Sequence, residues 1–307
     1  MRETLSLQCL GGLDVIYCYD TETDVVEMLL SPADTEGYWY RNDCAAVPLI
    51  RANLTAGNFQ NQSIAGDMQF VGQTAQQFKN KTIVTTKFTD SHGLLYTHML
   101  TLFVRYSVVE VVTSITNQAS KPITIDVLSS FALGSLPLFS KGYAAEKLKI
   151  HFLSPDSTTK IRLISETADK LPLEIGSNLL FSSVESSSAH GYMPFCAIED
   201  TAYQMTWAAA ITHTNKWWME LSHPDSGLCL SGGLAGNQSS MWHKTLSPSK
   251  TFVMPKAALT AVRGGADAAI RELSIRYSKF PHAVWSRILQ DLKWRQLRRN
   301  VITIPDS

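Results

Sequence analysis

Apolar and polar residues alternate with period two along most of the chain, the signature of half-buried strands. Leu5, Leu7 and Cys9 share one face, with Ser6 and Gln8 on the other. After Gly11-Gly12 the pattern resumes through Leu13, Val15, Tyr17 and Tyr19. Val109, Val111, Thr113 and Ile115 alternate against Glu110 and Ser114, and Ile123, Ile125 and Val127 against Thr124 and Asp126. Leu148, Ile150 and Phe152 oppose Lys147, Lys149 and His151, and Met205, Trp207, Ala209 and Ile211 oppose Thr206, Ala208, Ala210 and Thr212. Turn residues divide these runs. Ser91-His92-Gly93 predicts a hairpin, and Asn117–Pro122 and Pro224–Gly227 separate further strands. Helical spacing enters late. Ala269, Ile270, Leu273 and Tyr277 follow Gly264-Gly265, and Val284, Ile288, Leu289 and Leu292 follow Pro281. The expected class is mainly β, a large antiparallel sandwich of two stacked sheets over residues 1–260, with helices only near 267–277 and 282–298.

Composition narrows the function classes. Of 307 residues, 45% are hydrophobic and 18% charged, which suits a packed core and not a disordered chain. Lys+Arg and Asp+Glu both number 27, so the chain lacks the basic footprint of a nucleic-acid binder. The N-terminus has no apolar leader core and no run approaches a membrane span, so the expected location is the cytoplasm, without nucleic acid or membrane as partner. Five scattered cysteines (Cys9, Cys18, Cys44, Cys196, Cys229) form no CxxC pair and read as free thiols. Four Asn-x-Ser/Thr sequons, at Asn53, Asn61, Asn80 and Asn237, read as chance matches. No P-loop, GxGxxG, HExxH or GxSxG occurs, so neither a cofactor nor a metal is expected.

The order of motifs resembles the N-terminal β-sandwich domain of glycoside hydrolase family 36, the α-galactosidase (melibiase) family. One block is Val109–Asn117 followed by Lys121-Pro122-Ile123-Thr124 and by Leu128–Gly134. A second is Met193–Thr201 followed by Trp207–Ala210, Trp217–Glu220 and Leu230–Ala235. It closes with Trp242–Ser249, Thr251-Phe252 and Pro255. Ser249 stands where the family usually has Gly, a departure expected to be mild. The resemblance implies a sandwich domain over 1–277 and a helical tail over 278–307, in a chain that looks truncated before the family's catalytic (β/α)₈ barrel. It also implies α-galactosides as substrates of the full enzyme, and the family's catalytic aspartates lie on barrel strands that nothing in this sequence matches.

Glu199-Asp200 is an adjacent acidic pair. Neighbours on a strand point to opposite faces, so a turn or strand-end role is expected for Asp200 rather than catalysis. Sugar faces can also stack on indole rings. Trp217 shares parity with Met219 and Leu221 and is expected in the core. Trp218 aligns with Glu220 and Ser222 and is expected on the polar face, either covered by another domain or subunit or open to a sugar. Trp39, in Gly37–Asp43, is the second substrate-binding candidate. Catalytic residues are expected to be absent. The alternatives to a scaffold for an α-galactosidase are a carbohydrate-binding module and an assembly domain. Self-association is expected through the face bearing Trp218.

Overall fold

The structure, a computed structural model, describes residues 2–33, 35, 46–56, 59–63, 67–139, 144–155, 161–182, 192–212, 217–225, 227–234 and 243–277. The helix expected near 282–298 and the proposed tail lie outside these residues, as do Trp39 and Cys44.

Strands dominate, as the alternation predicts. In chain order they are β1 (Arg2–Leu10), β2 (Leu13–Asp20), β3 (Val25–Pro32), β4 (Ala52–Ala56), β5 (Phe59–Ser63), β6 (Gln69–Gln77) and β7 (Lys81–Thr89). They continue with β8 (Leu94–Phe103), β9 (Tyr106–Asn117), β10 (Ile123–Leu136), β11 (Leu148–Pro155), β12 (Ile161–Thr167) and β13 (Asn178–Ser182). The series ends with β14 (Phe195–Asp200), β15 (Met205–Ile211), β16 (Trp217–Ser222), β17 (Leu228–Leu234), β18 (Lys244–Leu246), β19 (Thr251–Val253) and β20 (Ala257–Arg263). One α-helix, α1 (Ala266–Tyr277), follows β20, as the late helical spacing predicts.

Among the described residues the strands form three antiparallel sheets, not two. A ten-stranded sheet has the order β12-β11-β14-β15-β20-β9-β8-β7-β6, with β19 also on β9. A seven-stranded sheet has the order β13-β16-β17-β10-β4-β5, with β18 also on β10. The N-terminal strands β1-β2-β3 make a third sheet of their own. Period-two alternation reports that a segment is a half-buried strand but not which strand lies beside it, so the third sheet was invisible in the pattern. The Gly11-Gly12 turn takes φ of +63° and +81°, which suits a two-residue hairpin. A Cβ on Gly11 would also collide with the Phe103 carbonyl oxygen, so the bare backbone is what lets this hairpin lie against the β8–β9 turn.

The inner faces of the sheets meet in one continuous core. Trp207 of the ten-stranded sheet and Trp217 of the seven-stranded sheet are both fully buried in it, with Phe131, Leu133, Met219 and Leu221. Trp207 also donates its Nε1–H to the Leu30 carbonyl at 2.8 Å, which ties β3 to the ten-stranded sheet. A second cluster lies on the outer face of that sheet. Ala197, Ala208, Ala210 and Ala258 form a shallow floor on which Ala269, Ile270 and Leu273 of α1 rest. This explains why every residue of β15 is buried although its sequence alternates. The small residues let a helix cover the face that alternation alone would assign to water.

The turn at Leu246–Lys250 corrects one expectation. Lys250 N–H donates to the Ser247 carbonyl at 3.1 Å, closing a turn with Pro248 and Ser249 at its centre. Ser249 has φ +61°, the type II conformation that favours Gly at this position. Ser249, expected to be mild at this position, is therefore strained there.

Candidate functional site

Parity places Trp217 and Trp218 as the sequence predicts. Trp217 points into the core, and Trp218 shares the outer face of the seven-stranded sheet with Glu220, Ser231 and Gly233. Its exposure differs from the expectation. Trp218 retains only 5% of its accessible surface. The Arg51 guanidinium lies 5.6 Å from the indole centroid, a distance suited to a cation–π contact. The indole Nε1–H donates to the Leu234 carbonyl at 3.1 Å. The cover is thus intramolecular. That burial removes the ground for a Trp218-centred association face and for expecting Trp218→Ser to raise solubility, since the change would empty a packed site.

Arg51 organises this face. Its Nη1 donates to Glu220 Oε1 at 2.7 Å and to Ser231 Oγ at 2.8 Å. Its backbone is clamped as well. Arg51 N–H donates to Ser129 Oγ at 2.8 Å, and Ser129 N–H returns a bond to the Arg51 carbonyl at 2.8 Å. The Arg51 side chain is 35% exposed while that of Glu220 is 10% exposed. A guanidinium carries five N–H donors, so Arg51 is the group here through which a hydroxyl or carboxylate could be held.

A second charged pair lies within the N-terminal sheet, and a hydrogen bond from Ser135 ties it to β10. Glu27 is buried, with Oε1 accepting from Ser135 Oγ at 2.6 Å and from Val47 N–H at 3.4 Å. Oε2 stands 3.3 Å from Arg2 Nη1. Burial raises the Glu27 pKa against the lowering effect of Arg2. Between the two charged pairs, Cys229 packs with Val47 and Ala132. Burial pushes its thiol up to about 12, which leaves no thiolate for nucleophilic work. Cys18 and Cys196 are shifted likewise to about 12.

The adjacent acidic pair is structural. Asp200 Oδ1 accepts from Ala202 N–H at 2.9 Å and Tyr203 N–H at 3.2 Å, the turn role expected of it. Glu199 points the other way. Its Oε2 stands 3.0 Å from His151 Nε2 and accepts from Ala266 N–H at 3.3 Å, at the start of α1. The His151 contact and that amide help hold the Glu199 carboxyl below the usual carboxylate range. Among the described residues no group of three or more His, Cys, Asp or Glu is placed to hold a metal ion.

Sequence reasoning did not single out Arg51, Glu27 or Arg2. A signal existed for Glu27, a lone carboxylate inside the apolar run Val25–Leu30. Such a residue is rarely buried without a partner. Nothing local marked Arg51, whose partner Glu220 lies 169 residues away.

No protein-family profile matches the chain, and no curated protein matches it. Solved structures do. The α-galactosidase from Lactobacillus brevis superposes with a TM-score of 0.66 at 14% identity, over 89% of this chain and 41% of that one. A variant of the GH36 α-galactosidase AgaA from Geobacillus stearothermophilus, in complex with stachyose, superposes with a TM-score of 0.68 at 10% identity, over 89% of this chain and 43% of that one. The galactosidase domain of the α-galactosidase–sucrose kinase AgaSK gives a TM-score of 0.66 at 12% identity, over 88% and 42%. The chain thus spans about two fifths of the length of the structures it matches. In fold, the chain is similar to a part of the GH36 α-galactosidases, in agreement with the N-terminal β-sandwich domain that its motif order resembles.

Proposed function

We propose that this chain serves as the N-terminal β-sandwich domain of an α-galactosidase-like glycoside hydrolase, as a non-catalytic scaffold beside a (β/α)₈ barrel. The observation that carries the reading is the superposition of nearly the whole sandwich on only part of each galactosidase. We assign residues 1–277 to the domain and 278–307 to a tail leaving it. The chemistry is in keeping with this role. A retaining glycosidase needs two carboxyl groups about 5–5.5 Å apart across the scissile bond. Here Glu199 and Asp200 diverge into structural contacts, and Glu27 and Glu220 each face an arginine. The substrates of the full enzyme in this reading are α-galactosides, the class to which the stachyose and raffinose bound by AgaA belong. Self-association and a cytoplasmic setting belong to the same proposal. No helix among the described residues is long and apolar enough to cross a membrane.

The purified chain should not turn over a nitrophenyl α-galactoside, and raffinose titrated into it should give no saturable heat. Turnover that survives repurification and vanishes in a point variant would make the chain an enzyme in its own right. Saturable raffinose binding abolished by Arg51→Ala would instead favour a sugar-binding module centred on Arg51 and Trp218.

A further inference from the structure

We propose that β6 is the contact strand of a two-fold dimer, in which it pairs antiparallel with β6 of a second copy of this chain. Among the described residues β6 ends the ten-stranded sheet and is paired with β7 alone. From Thr74 to Gln77 every residue is exposed, on both faces of the strand. Phe78 N–H donates to the Lys81 carbonyl at 2.8 Å, back towards β7. Backbone groups along a strand alternate in direction, so those of Gln73, Ala75 and Gln77 point away from β7 to the open edge. No described residue makes a backbone hydrogen bond to that edge. Folded proteins usually guard such an edge with charge, Pro or a bulge. The opposite edge strand, β12, carries Arg162 and Glu166. β6, Gln69-Phe70-Val71-Gly72-Gln73-Thr74-Ala75-Gln76-Gln77, carries no charge and no Pro. Its one irregularity falls between Phe70 and Gly72 and leaves the stretch from Gln73 onward regular.

The strand is complementary to itself. A two-fold axis at Ala75 sets Gln73 opposite Gln77 of the second copy and Thr74 opposite its Gln76. The three outward-pointing residues, 73, 75 and 77, then exchange about six backbone hydrogen bonds. The same axis sets Phe78 opposite Gly72 of the second copy. Phe78 is 50% exposed, and open space surrounds the position a Cβ on Gly72 would take, with nothing within 4 Å. An aromatic ring across from a bare glycine is a favourable cross-strand pair. No charged residue opposes a like charge in this register, and the formal net charge of zero adds no repulsion. A partner whose exposed ring and empty glycine fall in register with these is a second β6, which closes as a symmetric dimer.

The test is light scattering coupled to size exclusion on wild type and two double variants. Thr74→Lys with Gln76→Lys puts like charges opposite each other at two places. Thr74→Lys with Gln76→Glu puts opposite charges there. All substituted positions are exposed, and melting curves check that each variant folds. The wild type should run as a dimer. The Lys/Lys variant should raise the dissociation constant by about tenfold or more. The Lys/Glu variant should remain dimeric. A contact elsewhere would leave both variants dimeric, and another register would not set the substituted positions 74 and 76 opposite each other. A monomeric wild type overturns the proposal. So does a wild-type dimer that both variants leave intact, or that both dissociate.

Discussion

His98 stands in the middle of β8, between Thr86 of β7 and Thr113 of β9. It is fully buried, and neither ring nitrogen finds a hydrogen-bond partner among the described residues. The neighbouring hydroxyls are engaged elsewhere, Thr86 with the Gln73 amide and Thr113 with the Ser130 carbonyl. Burial disfavours the imidazolium and depresses the pKa to about 4. The unfolded chain, with a His pKa near the ordinary ~6.5, therefore takes up the proton first as pH falls. Stability contributed at this position is complete above about pH 6.5, declines towards pH 4 and is level below, a loss of up to about 3 kcal/mol. Urea denaturation of wild type and His98→Leu should show this. The variant should gain about 2 kcal/mol relative to wild type on going from about pH 7 to about pH 5. An unchanged difference between the two proteins at both pH values would show that His98 is protonated or solvated in the fold. Legibility at this scale followed parity. The direction of Trp217 and Trp218 could be read from their neighbours on the strand. The Arg51 cover over Trp218 could not, because it is a contact between distant parts of the chain.

Elements were legible where a local rule sets them. Alternation marked β9, β10, β11 and β15, and the Gly264-Gly265 break marked the start of α1 within a few residues. The turn between β18 and β19 also follows a local rule. Pro248 followed by a residue with φ +61° is a type II turn, and Ser249 holds the place that Gly occupies without strain. Left-handed backbone costs a non-glycine residue about 1–2 kcal/mol, partly offset by the greater freedom Gly has in the unfolded chain, about 0.4–1 kcal/mol. Ser249→Gly should therefore stabilise the protein by about 0.5–1 kcal/mol, measured as a higher urea midpoint at unchanged slope. A lower midpoint would mean that the turn is not of this type in solution. What no local rule could supply was the helix resting on Ala208 and Ala258, which buries a face that the sequence leaves half apolar.

At the scale of the whole molecule, long-range pairing decides the architecture. β9 and β10 are consecutive, yet they fall in different sheets, and β10 takes β4 on one side and β17 on the other. Such pairings join residues far apart in sequence, and a repeat of two carries no record of them. The resemblance in motif order reached the right fold because it stores that topology as a whole. Salt bridges brace single sheets, Arg2–Glu27 within the N-terminal one and Arg51–Glu220 over the seven-stranded one, while the Trp207–Leu30 and Ser135–Glu27 hydrogen bonds link the sheets. The central claim, that this sandwich works as part of an α-galactosidase, is tested most directly by immunodepletion. An antibody raised against the purified chain is used to clear an extract of the cells that express it. The account predicts that nitrophenyl α-galactoside hydrolysis leaves the extract with the antigen, on a polypeptide heavier than 34.0 kDa. Activity that stays behind in full, with the antigen recovered as a polypeptide of about that mass, would contradict it.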